Sequence, residues 1–399
     1  MDDSFSIVCL SPQDWKTELP THRQQIMRRA ARRGHAVLFV ETGYFFGRQL
    51  WRLLRADGRR SLFRVLRAER TDEKDVWVCK AANVLPLGQR FELARRVNAA
   101  MTARKVRRLA RDLPAPHILW VYDPCASGVI GHAGELFAVY DCVDDYGWHS
   151  SAGRRRQLVE AGDADAARRS RLVFATTPAL EARQRARNRA THLVSNVGDF
   201  AHFSRATDPR RAAADVQDLA SPVLGFAGNF LATKVDFDLL DAVARTRPDW
   251  TLLLVGPARP GTGRRLAELG RLSNVRWVGP KPYGELPEYV AAFDVGLIPY
   301  VRNGYTDNCF PLKLYEYLAA EKPVVATGVP VLGAMEPDVR LVEGPEAFVH
   351  AVEAALALRS ADDRARRTEL ASRNTWETRA ERLLGLISDE LAESEQVAA

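Results

Sequence analysis

Short apolar runs alternate with longer amphipathic stretches along the whole chain. In the first half, the runs at 5–10 (FSIVCL), 36–41 (AVLFVE), 76–79, 117–122, 136–140, 172–176 and 192–195 predict strands. Segments of helical pattern lie between them, at about 21–33, 91–111, 154–169 and 178–188. Thr21 stands before the first of these as an N-cap, and Gly34 follows it as a stop. The second half repeats the rhythm. Strands are expected at 223–227, 251–255, 275–278, 295–298 and 323–326, and helices at 236–246, 263–270, 286–292, 311–320 and 346–358.

Strands alternating with helices imply parallel sheets wound on both faces. The chain has 399 residues, enough for one or two ordinary cores, and two domains are the better expectation at this length. The polar stretch 206–221 (ATDPRRAAADVQDLAS) has no strand pattern and separates the two series. The expected division is therefore an N-terminal domain over 1–205, a linker over 206–221 and a C-terminal domain over 222–374. A last helix over 375–399 would pack back across both.

Composition narrows the class further. No run of 18 uncharged apolar residues occurs, so no transmembrane helix is expected. The N-terminus MDDSFSIVCL begins acidic, unlike a secretory signal. Cys9, Cys79, Cys125, Cys142 and Cys309 are scattered and odd in number, which fits reduced thiols in a cytoplasmic protein. The net charge of +7 is uneven: residues 1–205 hold 35 Lys and Arg against 22 Asp and Glu, the remainder 22 against 28. A basic first half suits an anionic partner, a membrane surface or a phosphorylated substrate. No nucleic-acid motif accompanies the charge, so no nucleic-acid partner is expected. Residues 44–70 interleave aromatics with eight arginines. Two readings stand for them: peripheral contact with the inner face of the cell membrane, or a cover for the domain's own sheet.

Residues 303–328 read NGYTDNCFPLKLYEYLAAEKPVVATG: a loop, a helix and a buried strand. Pro311 suits a first helical turn, with Asp307 and Asn308 before it as cap candidates. A helix start there would offer backbone N–H groups to a phosphate. Lys313 and Glu316 are three apart and share a face, the first to reach a diphosphate, the second to accept from ribose hydroxyls. An ordinary solvated Lys–Glu pair is the alternative.

The block FPLKLYEYLAAEKPVVAT (310–327) resembles the donor-binding segment of GT-B glycosyltransferases, notably glycosyltransferase family 4 and its polysaccharide and teichuronic-acid relatives. Residues 223–240, 249–256, 274–279 and 285–299 follow that family's order and spacing. More loosely, 20–41, 137–146 and 374–387 resemble its acceptor domain and terminal helix. The resemblance implies two Rossmann-like α/β domains of doubly wound parallel sheet facing a cleft. It also implies transfer of a sugar from a UDP- or GDP-linked donor to a saccharide or lipid-linked acceptor in polysaccharide or glycoconjugate synthesis. No cofactor and no metal are expected, and retention of configuration is. Glu316 would bind the ribose. Gly228, Asn229, Lys234, Val278, Gly279, Asn308, Phe310, Pro311, Leu312 and Lys313 would surround the rest of the nucleotide-sugar.

Three positions depart from the family pattern. Asn308 stands where the first of two Glu, separated by seven residues, usually falls; Asn229 replaces an Arg; and Glu321 replaces the Gly that ends the helix. The two asparagines keep open a catalytically silent nucleotide-sugar or glycan-binding partner, and the fold also admits a sugar-nucleotide epimerase. On the acceptor side the candidates for a general base are Asp14, Asp123, Asp144 and Asp145, each just after a strand. Asp is also common in turns and caps. Trp15 would stack on an acceptor sugar or pack on its neighbours, and His22 and Arg23 open the next helix. No His spacing suits a metal.

Overall fold

The computed structural model describes residues 5–17, 20–43, 67–85, 91–149 and 153–398. Most of the basic aromatic stretch at 44–70, residues 44–66, lies outside the described residues. The chain divides into two units. One comprises Met1–Ser195 with Arg379–Ala399, the other Asn196–Thr378.

The first unit alternates β1 (Ser6–Ser11), α1 (His22–Arg32), β2 (Val37–Glu41), β3 (Glu69–Arg70), β4 (Val76–Lys80), α2 (Glu92–Ala110), β5 (His117–Val121), β6 (Phe137–Cys142), α3 (Arg154–Arg169), β7 (Leu172–Ala175), α4 (Pro178–Arg185) and β8 (Thr191–Leu193). These strands form one sheet in the order β3-β4-β2-β1-β5-β6-β7-β8. All pairs are parallel except β3–β4. The central strands are buried on both faces, as their unbroken apolar runs require. The backbone N–H of Thr21 donates to Gln24 Oε1 at 3.0 Å, and Gly34 ends the turn after α1 at φ +95°.

The second unit runs β9 (Val223–Ala227), α5 (Phe237–Thr246), β10 (Thr251–Val255), α6 (Gly263–Leu269), β11 (Val275–Trp277), α7 (Leu286–Ala291), β12 (Val295–Pro299), α8 (Lys313–Ala319), β13 (Val324–Thr327), β14 (Val339–Leu341), α9 (Pro345–Leu356) and α10 (Ala361–Arg373). Its sheet is wholly parallel, in the order β11-β10-β9-β12-β13-β14. The order reverses direction between β9 and β12, the kind of point beyond whose carboxyl ends ligands bind.

The boundaries differ from expectation. The division falls after Ser195, not at 205, and 206–221 is not a free linker. Ala206, Ala212 and Val216 enter the core of the second unit, and the Asp215 carboxylate lies 3.0 Å from Lys281 Nζ. Apolar residues six and four apart give no strand or helix period, which is why the stretch reads as a linker. The last helix, α11 (Trp376–Ala398), belongs to the first unit from Arg379 onward. There Arg379 pairs with Asp141, both side chains 0% exposed. Among the described residues no helix is long and apolar enough to cross a membrane.

Candidate functional site

The loops leaving β9 and β12 are stitched together before any side chain is considered. Val235 bridges Tyr300, and the Val301 N–H donates to the Lys234 carbonyl at 3.0 Å. Phe230 likewise bridges Ala258 in the loop after β10. Gly228 and Gly256 make this approach possible. A Cβ on Gly256, where φ is +135°, would lie 1.9 Å from the Gly228 carbonyl oxygen.

Two lysines meet in this frame. Lys313, the first residue of α8, donates from Nζ to the Tyr300 hydroxyl at 2.7 Å. Its ammonium also sits 5.3 Å from the Tyr300 ring centroid and 5.2 Å from that of Phe226. Lys234 Nζ lies 4.7 Å from the same Tyr300 ring and 5.2 Å from the Tyr305 ring, and donates to the Tyr305 hydroxyl at 3.4 Å and to Cys309 Sγ at 3.7 Å. Holding two ammonium groups around one ring sets like charges against each other. An anion between them would relieve that repulsion. The Cβ position of Gly228 is 3.3 Å from Lys313 Nζ, so any side chain there would fill the approach to the lysine.

Glu316 follows one turn along α8. Its half-buried carboxylate takes no hydrogen bond from the described residues. Burial pushes its pKa up to about 7; the Lys313 ammonium opposes the rise and the Asp199 carboxylate adds to it. The backbone of Gly198 packs against this turn so closely that a Cβ would lie 2.8 Å from Tyr315 Cβ and 3.0 Å from the Glu316 nitrogen. Asp199 accepts from the Tyr283 hydroxyl at 3.2 Å. A carboxylate with unused acceptor capacity beside a cationic pair is suited to neutral hydroxyls, as on a ribose.

The other expected donor-side residues fall around this centre with several corrections. Asp307 and Asn308 do not cap α8. They sit in a separate turn, Thr306–Asn308, where Asn308 Nδ2 donates to the Gly304 carbonyl at 2.8 Å and Asp307 lies 3.5 Å from Arg302 Nε. The helix starts two residues later than expected, and Pro311 serves it through its carbonyl, which accepts from the Leu314 N–H at 3.2 Å. The Leu312 carbonyl accepts from Glu316. The Phe310 carbonyl is taken by Asn196 Nδ2 at 2.9 Å and its ring stacks on Tyr315, so Phe310 braces the loop. Val278 and Gly279 close the loop after β11: the Gly279 carbonyl accepts from the Gly256 N–H at 2.8 Å, and Gly279 has φ +72°. Asn229 is engaged by Arg259. Glu321 holds the left-handed position after α8 at φ +61° despite its side chain. The pattern alone did not single out Tyr300, Asp199 or Arg259, because each is isolated in sequence from the block that drew attention, nor Tyr305, which lies inside that block without helical spacing to Lys313 or Glu316.

In the first unit the four candidate bases separate. Asp123 accepts from the Thr42 hydroxyl at 2.5 Å and caps the turn Pro124–Val129 through the Cys125 N–H at 2.9 Å. Burial raises its pKa against those hydrogen bonds. Asp145 pairs with Arg183 at 2.6 Å. Both are accounted for as scaffold. Asp14 is exposed and its carboxylate has no hydrogen bond or ion pair among the described residues, while Asp144 faces the charge of Arg23. Trp15 is no sugar platform: it is 4% exposed, edge-on to Phe39 and covered by Arg28. His22 and Arg23 are likewise buried, and Arg23 donates to the Tyr146 hydroxyl at 2.7 Å. Among the described residues no group of three or more His, Cys, Asp or Glu could hold a metal ion.

Residues 221–357 match the family model described as glycosyl transferases group 1, so the match spans the cationic pair, Glu316 and the loops around them. Over 209 residues the chain is 33% identical to TuaH of Bacillus subtilis (strain 168), a protein named as a teichuronic acid biosynthesis glycosyltransferase. The match takes in 50% of this chain and spans about half, 52%, of that relative. Among solved structures the chain is similar to HepE of Anabaena, captured with UDP and glucose (18% identity, TM-score 0.66, 96% of this chain and 100% of that one). It is also similar to a sucrose-phosphate synthase of Thermosynechococcus elongatus (17% identity, TM-score 0.71, 99% and 100%). Residues 221–357 of the second unit thus match the glycosyl transferases group 1 family model, in a chain with the GT-B fold.

Proposed function

We propose that this protein is a glycosyltransferase that moves a sugar from a nucleoside-diphosphate sugar, UDP- or GDP-linked, to a saccharide or lipid-linked acceptor in cell-surface polysaccharide synthesis. The observation that carries the reading is the pair of ammonium groups, Lys234 and Lys313, gathered on the Tyr300 ring one turn from the open carboxylate of Glu316. A diphosphate against the lysines and ribose hydroxyls on Glu316 would use each group for what its chemistry favours. The teichuronic-acid name of the relative supports the substrate class.

In the reaction an acceptor hydroxyl oxygen bonds to the anomeric carbon as the bond from that carbon to the diphosphate oxygen breaks. The diphosphate departs with the electron pair, and the lysines stabilise the charge that develops on it. Without a bound metal, these fixed cations supply the neutralisation. With retention, the acceptor attacks from the face of the departing diphosphate, and a diphosphate oxygen takes the acceptor's proton. Of the acceptor-side carboxylates, Asp14 and Asp144 are the better candidates to orient the acceptor, since Asp123 and Asp145 are engaged by Thr42 and Arg183. The basic first half suits an anionic or membrane-borne acceptor.

A calorimetric screen of nucleoside diphosphates and their sugars tests the donor site. At least one is expected to bind and to be hydrolysed slowly without acceptor, in the presence of EDTA. Binding by none of them sinks the reading.

A further inference from the structure

Arginine side chains near the loop after β10 are mostly neutralised. On α6, Arg264 pairs with Glu268 and Arg265 with Asp238, and on α5 Arg245 pairs with Asp241. Arg259, in that loop, is not paired. Among the described residues no carboxylate lies within 4.0 Å of its guanidinium. Its Nε and one terminal nitrogen instead donate to the amide oxygen of Asn229, at 2.9 and 2.6 Å. A neutral amide orients a guanidinium through such a fork without cancelling its charge, and three of the five N–H donors remain unused.

The backbone beneath it is fixed. The Arg259 N–H donates to the Phe230 carbonyl at 3.3 Å and to Thr262 Oγ1 at 3.0 Å, and the Thr262 hydroxyl donates to the Phe230 carbonyl at 2.8 Å. Asn229 lies between Phe230 and Gly228, whose Cβ position is 3.3 Å from Lys313 Nζ. The exposed guanidinium is therefore held by the residue next to Gly228, whose Cβ position approaches Lys313.

We propose that the Arg259 guanidinium, held by Asn229, is a third cationic group of the donor site and binds a diphosphate oxygen of the nucleotide. The proposal rests on the donor-site reading above and extends it to a loop that the Lys–Glu block does not contain. Asn229 is the positioning residue. Its amide keeps the fork pointed where a carboxylate in its place would quench it. The competing account is a loop clamp, in which the same two hydrogen bonds only tie the β9 and β10 loops together.

Calorimetry on the full chain separates the two, with UDP, GDP, ADP, their parent nucleosides and inorganic pyrophosphate as probes. Wild type is expected to bind one of the diphosphates. Arg259→Ala should weaken that binding about tenfold or more, with Arg259→Lys between, because a charge-assisted hydrogen bond is lost. The same variant should lower the salt dependence of affinity, and leave binding of the parent nucleoside and the melting temperature near wild type. Asn229→Ala keeps the charge but frees it, and should cost less than Arg259→Ala. Unchanged diphosphate affinity and salt dependence in Arg259→Ala, with a lowered melting temperature, would establish the clamp and overturn the proposal while the donor site stands. Failure of wild type to bind any diphosphate would remove both.

Discussion

The strand ends of the two units treat charge differently. In the first, acids and bases meet each other: Asp141 with Arg379, Asp145 with Arg183, Glu41 with Lys80. At the ends of β9, β10 and β12 in the second, Arg302 pairs with Asp307 and Glu343, but Lys234, Lys313 and Arg259 meet rings, hydroxyls and an amide. Lys313 sits on Tyr300 and Phe226, and Arg259 on Asn229. A buried charge that is paired has finished its work within the fold, since the pair offsets the loss of hydration. A charge held in place without its opposite retains the capacity to bind. The pairing of charge, more than its amount, separates scaffold from candidate site here, although the first half carries the larger net positive charge.

Substitutions test the contrast from both sides. The largest effect is expected at Arg379, which also donates to the carbonyls of Val194 and Ser195. Arg379→Ala leaves the buried Asp141 carboxylate without its ion-pair partner, which typically costs about 3–5 kcal/mol. Urea unfolding should show that loss. The double variant Asp141→Asn with Arg379→Met should recover part of it. A cost under about 1 kcal/mol would mean the pair is not the anchor described.

Next in size is Lys313→Ala. It removes charge from the place where the leaving diphosphate becomes more negative, an effect typically on the order of 10²–10³-fold in turnover. Stability should change little, because Lys313 spans no ion pair shorter than 4 Å among the described residues. Initial rates with the donor identified by the screen, set beside the melting curve, give the comparison. A large loss of stability with turnover intact would move Lys313 to the scaffold side.

Glu316 sharpens the contrast through pH. Its carboxyl, near 4.5 in the unfolded chain, is raised to about 7 by burial. Between those values the folded protein binds more protons than the unfolded one, so this group's contribution to stability falls as pH rises through 7. Glu316→Gln should remove that slope, so the difference in melting temperature between variant and wild type should grow from pH 5 to pH 7.5. Donor hydroxyls would favour the charged carboxylate. Nucleotide-sugar binding near pH 6.5 should then release a proton, visible as a buffer-dependent heat in wild type and absent in Glu316→Gln.

How much of this was legible depended on what kind of force made each element. The parallel strands rest on apolar burial, and their runs announced all but β14, which is only three residues long. So did the block at 310–327, where spacing alone put Lys313 and Glu316 on one face. Helix α10 is different. ADDRARRTELASR has no apolar stripe; it is fixed by a Ser360–Asp363 capping box and by Arg367, buried at 1%, which donates to the Glu321 and Leu358 carbonyls and pairs with Asp338. Anchorage through one buried guanidinium has no period to read. The same holds for Tyr300 and Arg259, which reach the site from loops closed by backbone hydrogen bonds between distant strands. Asp123 and Trp15 misled for the opposite reason: a polar or aromatic residue after a strand looks the same in sequence whether it faces a ligand or caps a turn.

The smallest predicted effect concerns the end of α8. A Gly usually fills the left-handed position after such a helix, and here Glu321 stands in its place. The helix nonetheless ends left-handed. The Glu321 N–H donates to the Leu318 carbonyl at 3.0 Å and the Lys322 N–H to Tyr317 at 2.9 Å, the two crossed bonds of that termination. The non-glycine residue at φ +61° therefore bears the steric cost of its Cβ, about 1 kcal/mol. The side chain returns little. Its carboxylate is 3.7 Å from an exposed Arg364, an ion pair of small value in water. The bond that matters at this residue, from Arg367 Nε to the Glu321 carbonyl at 2.8 Å, belongs to the backbone and survives substitution. Glu321→Gly should thus raise unfolding free energy by about 1 kcal/mol, with donor affinity unchanged, because the termination lies at the far end of α8 from Lys313. A stability gain accompanied by weaker donor binding would mean that strain at 321 is coupled to the placement of Lys313 and Glu316, and the separation of scaffold from site would fail at this helix.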